Sequence, residues 1–367
     1  MSSSRLRRSA SNRHLVVAIS SHGFGHIGQT APVIDALRRR VPNWKITLRT
    51  AAPRHKLIER FGSGVAIEPA EVDLGMVQQD ALRVDLQASA EAYRRFHRDW
   101  EARVEAEAAA LRALDADGVL ANVPYLPLAA ADRAGLPGVA LCSLNWLDIY
   151  ASFFADLPEA AAILESMFLA YSSAQCFLQP EPSMPMAGLP NLRPIGPVCQ
   201  RGTNQRQWIA ERTGLGDGER LVMVSLGGME LRPPVEDWPE FAGWRLVVPA
   251  SWTSRHPSTI DFEDLDLPYI DALWSCDALI CKPGYGSFVE AASAGVPVLY
   301  LDRPDWPEVP YLVAWLARVG RSAHLPQDTW LRGGFGTMLS VLARQGLSGI
   351  AVGGAEQAAD AIEAALS

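Results

Sequence analysis

The sequence is poor in cysteine, with five in 367 residues (Cys142, Cys176, Cys199, Cys276 and Cys281), and no two are spaced as CxxC. An odd, scattered set builds neither a disulfide framework nor a thiolate zinc site, so a reducing, cytoplasmic setting is expected. No apolar run approaches the roughly 20 residues of a membrane span. The short run Leu15 to Ile19 behind a Ser/Arg-rich start is also too brief for a secretory core, which needs about 7–15 residues. Positive charge is not in excess either: 33 Lys and Arg stand against 41 Asp and Glu, a formal net charge of −8. That balance excludes broad attraction to nucleic acid or an anionic membrane, although a local basic site for phosphates remains compatible with it. What remains is 49% hydrophobic and 20% charged, the balance of a folded globular protein. The length suits two domains of ordinary size.

Residues 1–13 read as a disordered tail. His14-Leu-Val-Val-Ala-Ile-Ser20 then reads as a buried parallel strand, being short, continuous and β-branched. A glycine-rich turn and a helix over Thr30 to Arg40 follow. Lys45 to Thr50, Val65 to Glu68, Gly118 to Ala121, Gly138 to Cys142 and Gln175 to Leu178 read as further strands, and Glu91 to Leu114 has helical spacing. The alternation restarts at Arg220 to Leu226, which ends in Gly227-Gly228. It continues with strands at Arg245 to Val248, Ala278 to Cys281 and Val298 to Leu301, and with helices at Ser287 to Ala294 and Tyr311 to Val319. Alternating strand and helix predicts parallel, doubly wound sheets. The Pro/Gly-rich stretch from Pro180 to Pro197 reads as a linker with a hinge near Pro194. The expected architecture is α/β, with two Rossmann-like doubly wound domains facing a cleft, over residues 14–193 and 194–367.

Two blocks carry chemistry. Ser21-His22-Gly23-Phe24-Gly25-His26-Ile27-Gly28 follows the first strand and satisfies GxGxxG. The acidic residue that would hold a dinucleotide ribose is missing, because the second strand ends Arg49-Thr50. NAD is disfavoured, and an NADP-dependent oxidoreductase is kept as an alternative. An imidazole at the carboxyl end of a sheet suits a general base, which makes His26 and His22 the catalytic candidates; the plain alternative is that both merely bond loop carbonyls. The second block is Cys281-Lys-Pro-Gly-Tyr-Gly-Ser287, opening onto a helix. Backbone amides at Gly284, Tyr285, Gly286 and Ser287 fit phosphate oxygens, with Lys282 beside them and Gly227 and Gly228 as a further phosphate contact. Glu290, one turn along and expected to face solvent, fits the two hydroxyls of a ribose. Asp305 and Glu308, after the last core strand, fit donor-sugar hydroxyls or a plain solvated loop. Asp264-Leu265-Asp266 matches a metal-chelating DxD but lies in an acidic run without a preceding strand. Gly333-Gly-Phe-Gly336 lacks the P-loop lysine. Both are read as loops, and neither a metal nor a cofactor is expected.

The block from Lys282 to Leu301 resembles the nucleotide-binding signature of GT-B glycosyltransferases. A closer resemblance is to the glycosyltransferase-like N-terminal region of plant L-arabinokinases. It is carried by His22-Gly-Phe-Gly-His26, by Val77-Gln-Gln-Asp-Ala-Leu82 with Asp85, by Trp146 to Tyr150 and by Lys282 to Glu290, and it spans about Leu15 to Val319. The resemblance implies that His26 is the base, Gly284 to Ser287 the diphosphate cradle and Glu290 the ribose contact, with Gln78, Asp80 and Trp146 on the acceptor side. Gln29 departs from the arginine common in related loops, and Asn122 from an aspartate; both changes bear on acceptor contacts. The E-x7-E pattern of many retaining members is absent, since Pro297 lies seven residues after Glu290, so inversion is implied. The expected activity is therefore metal-independent sugar transfer from a nucleotide-sugar donor to an acceptor hydroxyl. The expected partners are those two substrates, without nucleic acid or a transmembrane segment. Hydrolysis or epimerisation of a nucleotide sugar, and a non-catalytic sugar-nucleotide binding protein, are the alternatives on the same fold.

Overall fold

The computed structural model describes residues 12–80, 82–227, 232–343 and 348–367. Of the expected tail, only Asn12 and Arg13 lie among them. The first strand, β1 (His14–Ile19), is buried at every position, as a parallel strand covered on both faces must be. It pairs with β2 (Lys45–Thr50) and with β4 (Gly118–Asn122), while β3 (Ala66–Pro69) lies beyond β2. On the other side follow β5 (Gly138–Leu141), β6 (Cys176–Pro180) and β7 (Leu192–Ile195). All seven run parallel, in the order β3-β2-β1-β4-β5-β6-β7. A second sheet has the order β10-β9-β8-β11-β12-β13, also all parallel, from β8 (Arg220–Ser225), β9 (Trp244–Val248), β10 (Thr259–Asp261), β11 (Ala278–Cys281), β12 (Val298–Tyr300) and β13 (Ser322–His324). In each sheet the order reverses beside the first strand, the switch point where doubly wound folds place ligands.

The chain divides into two compact units that are not consecutive stretches. One comprises Met1–Val77, Asp85–Val198 and Gly353–Ser367; the other comprises Gln78–Val84 and Cys199–Val352. The single boundary expected at 193/194 differs from this division in three places. The expected hinge at Pro194 is β7, an edge strand in which Pro194 stands opposite Gln179. An edge position tolerates proline because one side of the strand donates no ladder hydrogen bond. The helix Gly354–Leu366 returns to the first unit and packs on the helix Gly25–Arg40. Ala358, Ala359, Ile362 and Leu366 join the core that holds Ile27, Val33 and Leu37. Arg39–Glu356 at 2.6 Å and Arg40–Glu363 at 2.9 Å line its exposed rim.

Two other elements differ from the sequence reading. The first helix starts at Gly25 rather than Thr30, so His26, Gly28 and Gln29 sit in its opening turn. The span 91–114 holds two helices, Leu86–Arg98 and Trp100–Ala113, broken at Asp99 (φ −114°, ψ 35°). Asp85 is the N-cap of the first of these, its side chain accepting from the Ala88 N–H at 2.9 Å. Loss of such a cap costs on the order of 1 kcal/mol. Among the described residues no helix is long and apolar enough to cross a membrane.

Candidate functional site

In the first unit, parallel register brings the site together. Ile19 at the end of β1 stands opposite Asn122 at the end of β4, and the Ser20 N–H donates to the Asn122 carbonyl at 2.8 Å. The loop after β1 and the opening turn of its helix therefore meet the Asn122 side chain. Asn122 Nδ2 donates to Gln29 Oε1 at 3.0 Å, which leaves Asn122 Oδ1 facing His26 Nδ1, also at 3.0 Å. His26 Nδ1 thus carries the proton, and Nε2 keeps its lone pair. Cys142 Sγ lies 3.7 Å from the same nitrogen. Burial pushes the His26 pKa down to about 4, against a smaller upward pull from Asn122. The ring is a neutral imidazole at any ordinary pH.

His22 takes the opposite tautomer. The Met76 N–H donates to its Nδ1 at 3.3 Å, so the proton resides on Nε2. Gly75 permits that approach: its φ is +59°, and a Cβ there would stand 2.6 Å from His22 Nδ1. Behind both rings lies Trp146, edge-on to His22 with centroids 5.2 Å apart and tilted 6.2 Å from His26. Its indole N–H donates to Asp73 Oδ2 at 2.9 Å. Asp73 is buried, and burial raises its pKa to about 6 against hydrogen bonds from Ser20 and Trp146 that lower it. Trp146 is fully buried, so its ring backs the histidines rather than offering a face to a ligand.

In the second unit, Ser225, Cys281 and Tyr300 lie in one row across β8, β11 and β12. The residues that leave this edge are Gly227, Lys282 and Arg303. Gly227 has φ +80°, and a Cβ there would stand 3.0 Å from Lys282 Cε and 3.2 Å from Nζ. Burial and the neighbouring Arg303 bring the Lys282 pKa down to about 8, while Asp80 and Cys281 act in the other direction. Gly228 lies outside the described residues. The helix Tyr285–Ala294 starts from Gly284, which has no side chain with which to cap it. Those amides lack intrahelical partners and carry the positive end of the helix dipole. A Cβ at Gly284 or Gly286 would meet nothing within 4 Å. Tyr285 turns its ring into the core and offers only its amide, while Ser287 is partly exposed. Glu290 is not solvent-facing as expected: it is 3% exposed, on a helix buried continuously from Phe288 to Ser293.

Asp305 is exposed, whereas Glu308 is buried and accepts from Trp306 Nε1 at 3.3 Å. Gln78 and Asp80 belong to a small hairpin grouped with the second unit, where Gln78 bridges to Val84. Asp80 closes that hairpin. Its Oδ1 accepts from the Leu82 and Arg83 N–H groups at 2.8 and 2.9 Å, and its Oδ2 pairs with the Arg83 guanidinium at 2.6 Å. Asp264 sits in a 3-10 turn, Phe262–Leu265, and Asp266 follows it at φ +52°. Among the described residues no group of three or more His, Cys, Asp or Glu side chains is arranged to hold a metal ion. Sequence reasoning missed Asp73 and Arg303. Asp73 lies between Val72 and Leu74, two residues after Glu71, and nothing local sets it apart from an ordinary loop acid. Arg303 lies in the loop 302–308, where only the acids were weighed.

No protein-family model matches the chain. It is 28% identical to the L-arabinokinase of Arabidopsis thaliana over 311 residues, which are 83% of this chain. The chain spans only 30% of that relative's length. Among solved structures, the glycotransferase of kitacinnamycin superposes with a TM-score of 0.60 at 18% identity, covering 97% of this chain and all of that one. Arabidopsis thaliana UGT89C1 superposes at 0.62 with 12% identity, covering 97% and 99%. The same plant protein is also known in complex with UDP-L-rhamnose. With two all-parallel sheets in this order and these neighbours, the chain has the GT-B glycosyltransferase fold.

Proposed function

We propose that the protein is a glycosyltransferase that moves a sugar from a nucleoside-diphosphate donor to an acceptor hydroxyl, with inversion and without a metal ion. One observation carries this reading. On a GT-B fold, the carboxyl edge of the second sheet gathers a lysine, a positive-φ glycine and a helix N-terminus that opens on glycine, with a carboxylate one turn further on. That set matches a nucleoside diphosphate in order: cation and amides for phosphate, Glu290 for the ribose hydroxyls. UGT89C1, a neighbour in fold, binds UDP-L-rhamnose.

The chemistry assigned to the first unit is proton removal. His26 Nε2, unprotonated and held by Asn122 through the opposite nitrogen, takes the acceptor proton as its oxygen attacks the anomeric carbon. His22, with its proton on Nε2, donates a hydrogen bond to the acceptor. Trp146 positions both rings. Gln78 and Asp80 act from the hairpin, Asp80 chiefly by shaping it. Gly227 and Ser287 contact phosphate oxygens, and Asp305 and Glu308 flank the donor sugar.

The test pairs binding with turnover. Calorimetric titration with uridine and guanosine diphosphates is expected to show micromolar binding of at least one. The matching nucleotide sugars are expected to release that diphosphate in the presence of EDTA. A protein that binds neither, or that turns over only when manganese is restored, does not fit this reading.

A further inference from the structure

The loop that follows β3 touches His22 at several points. Val72 and Met76, each 2% exposed, anchor its middle, and the Met76 N–H donates to His22 Nδ1 at 3.3 Å. Gly75 packs directly against the imidazole, where a Cβ would stand 2.7 Å from His22 Cβ. Asp73, buried inside the same loop, reaches His22 through two other side chains.

The first is Ser20. Its hydroxyl donates to the Asp73 carboxylate, and the His22 N–H donates to the same Oγ at 3.2 Å. Ser20 is fully buried and its own N–H donates to the Asn122 carbonyl at 2.8 Å, so this arm grips the backbone that leaves β1. The second is Trp146. Its indole N–H donates to Asp73 Oδ2 at 2.9 Å, and its ring stands edge-on to His22 at 89°, with centroids 5.2 Å apart. That arm sets the surface against which the imidazole packs. The end of β1 and the helix Trp146–Phe154 are far apart in sequence, yet their arms meet at one carboxylate. A carboxylate suits this hub because it only accepts, whereas an amide would turn a donor toward one of the arms. Both donors are neutral, and burial outweighs them, lifting the carboxyl to about 6. Folding thus keeps an ionisable acid out of water at a cost, where it reaches both the backbone and the ring of His22.

We infer that Asp73 is a positioning residue, which fixes the backbone and the ring of His22 together and so sets where that histidine meets the acceptor. The inference rests on the acceptor-side reading above and deepens it. His22 is held at its N–H by Ser20, at Nδ1 by Met76 and along its ring by Trp146. Asp73 governs the first and third of these holds without touching substrate. An imidazole fixed in this way needs no reorganisation when the acceptor arrives. A displacement of about 1 Å can lower a rate by as much as about a hundredfold, so loosening either arm reaches the chemistry.

The experiment is a double-mutant cycle on Asp73→Asn and His22→Gln. Diphosphate release from uridine and guanosine diphosphate sugars gives kcat, and calorimetry with the two free diphosphates gives donor affinity. Modification by diethyl pyrocarbonate, located by mass spectrometry, reports how firmly the His22 ring is held. Asp73→Asn is expected to lower kcat about tenfold, to leave nucleotide affinity unchanged and to raise the His22 modification rate severalfold. In the His22→Gln background it should cost no more than about twofold further, because the residue it positions is gone and His26 keeps its own hold on Asn122. If Asp73→Asn does not fold, Ser20→Ala, which cuts the backbone arm by removing one oxygen, takes its place in the cycle. An Asp73 that is merely structural would cost the same factor with or without His22, and that result overturns the inference. Wild-type kcat with a wild-type modification rate in the folded variant overturns it as well, and leaves the transferase reading standing. A wild type that releases no diphosphate from either class of nucleotide sugar removes the transferase reading. The His22 modification rate then decides by itself whether Asp73 holds the ring.

Discussion

The two sheet edges use burial in opposite ways. In the first unit, desolvation leaves His26 uncharged with a free lone pair, and a neutral amide rather than a carboxylate orients it. In the second, desolvation acts on cations that remain charged, since even the lowered Lys282 value of about 8 lies above neutrality. Under the proposed function, one edge receives a proton and the other an anion. The same strand–turn–helix geometry supports both, so the division of labour lies in the residue that follows the strand and in what surrounds it.

The largest expected effect separates the edges outright. His26→Ala should lower kcat by about a thousandfold, within the range for loss of a positioned base, while nucleoside diphosphate affinity stays at the wild-type value. A parallel loss of nucleotide affinity, read by calorimetry, would break the comparison. The reverse experiment is Gly286→Val. A side chain at this position meets no protein atom, so melting temperature should hold within a few degrees, while nucleotide affinity falls by about a hundredfold or more. Unchanged affinity would place the phosphates elsewhere.

Acid tests the first edge without a mutation. His26 and His97 both have folded pKa values lowered to about 4, chiefly by burial. The unfolded chain therefore binds more protons below pH 6.5, and the stability present above that value is lost as pH falls toward 4. Asp73, raised to about 6, works the other way over part of the same window, because its folded form gains a proton first. Two histidines against one aspartate leave a net loss on the order of 3 kcal/mol. Urea midpoints at pH 7 and pH 4.5 measure it, and equal midpoints would contradict the burial of the imidazoles.

The smallest effect sharpens the role of Asn122. Asn122→Asp puts a carboxylate against His26 Nδ1, which favours the imidazolium. The acid limb of the kcat profile should move up by about one pH unit or more. A limb that stays in place means that Asn122 does not govern the ionisation of His26.

Much of this was legible in the sequence, for identifiable reasons. Continuous β-branched runs such as Leu15 to Ile19 read as buried strands in an α/β chain, and glycine turns mark where each sheet edge opens. Elements set by tertiary contact were not legible. β7 hides in a Pro/Gly-rich stretch because an edge strand needs only half its hydrogen bonds. Glu290 reads as a surface acid until the packing of its helix is known. Asp73 and Arg303 matter through neighbours far away in sequence, Trp146 in the first case and Lys282 in the second, and no local spacing announces such pairs.

The helix Gly354–Leu366 has a mechanical consequence. The chain leaves the first unit at Val198 and re-enters it at Gly353, so most of the second unit is a closed excursion whose two ends are anchored in the first. Tension applied between Arg13 and Ser367 therefore loads the contact of this last helix with the helix Gly25–Arg40 before it reaches any strand of the second sheet. The short helix serves as a clasp, and in a pulling experiment its release should be the first event on the force trace.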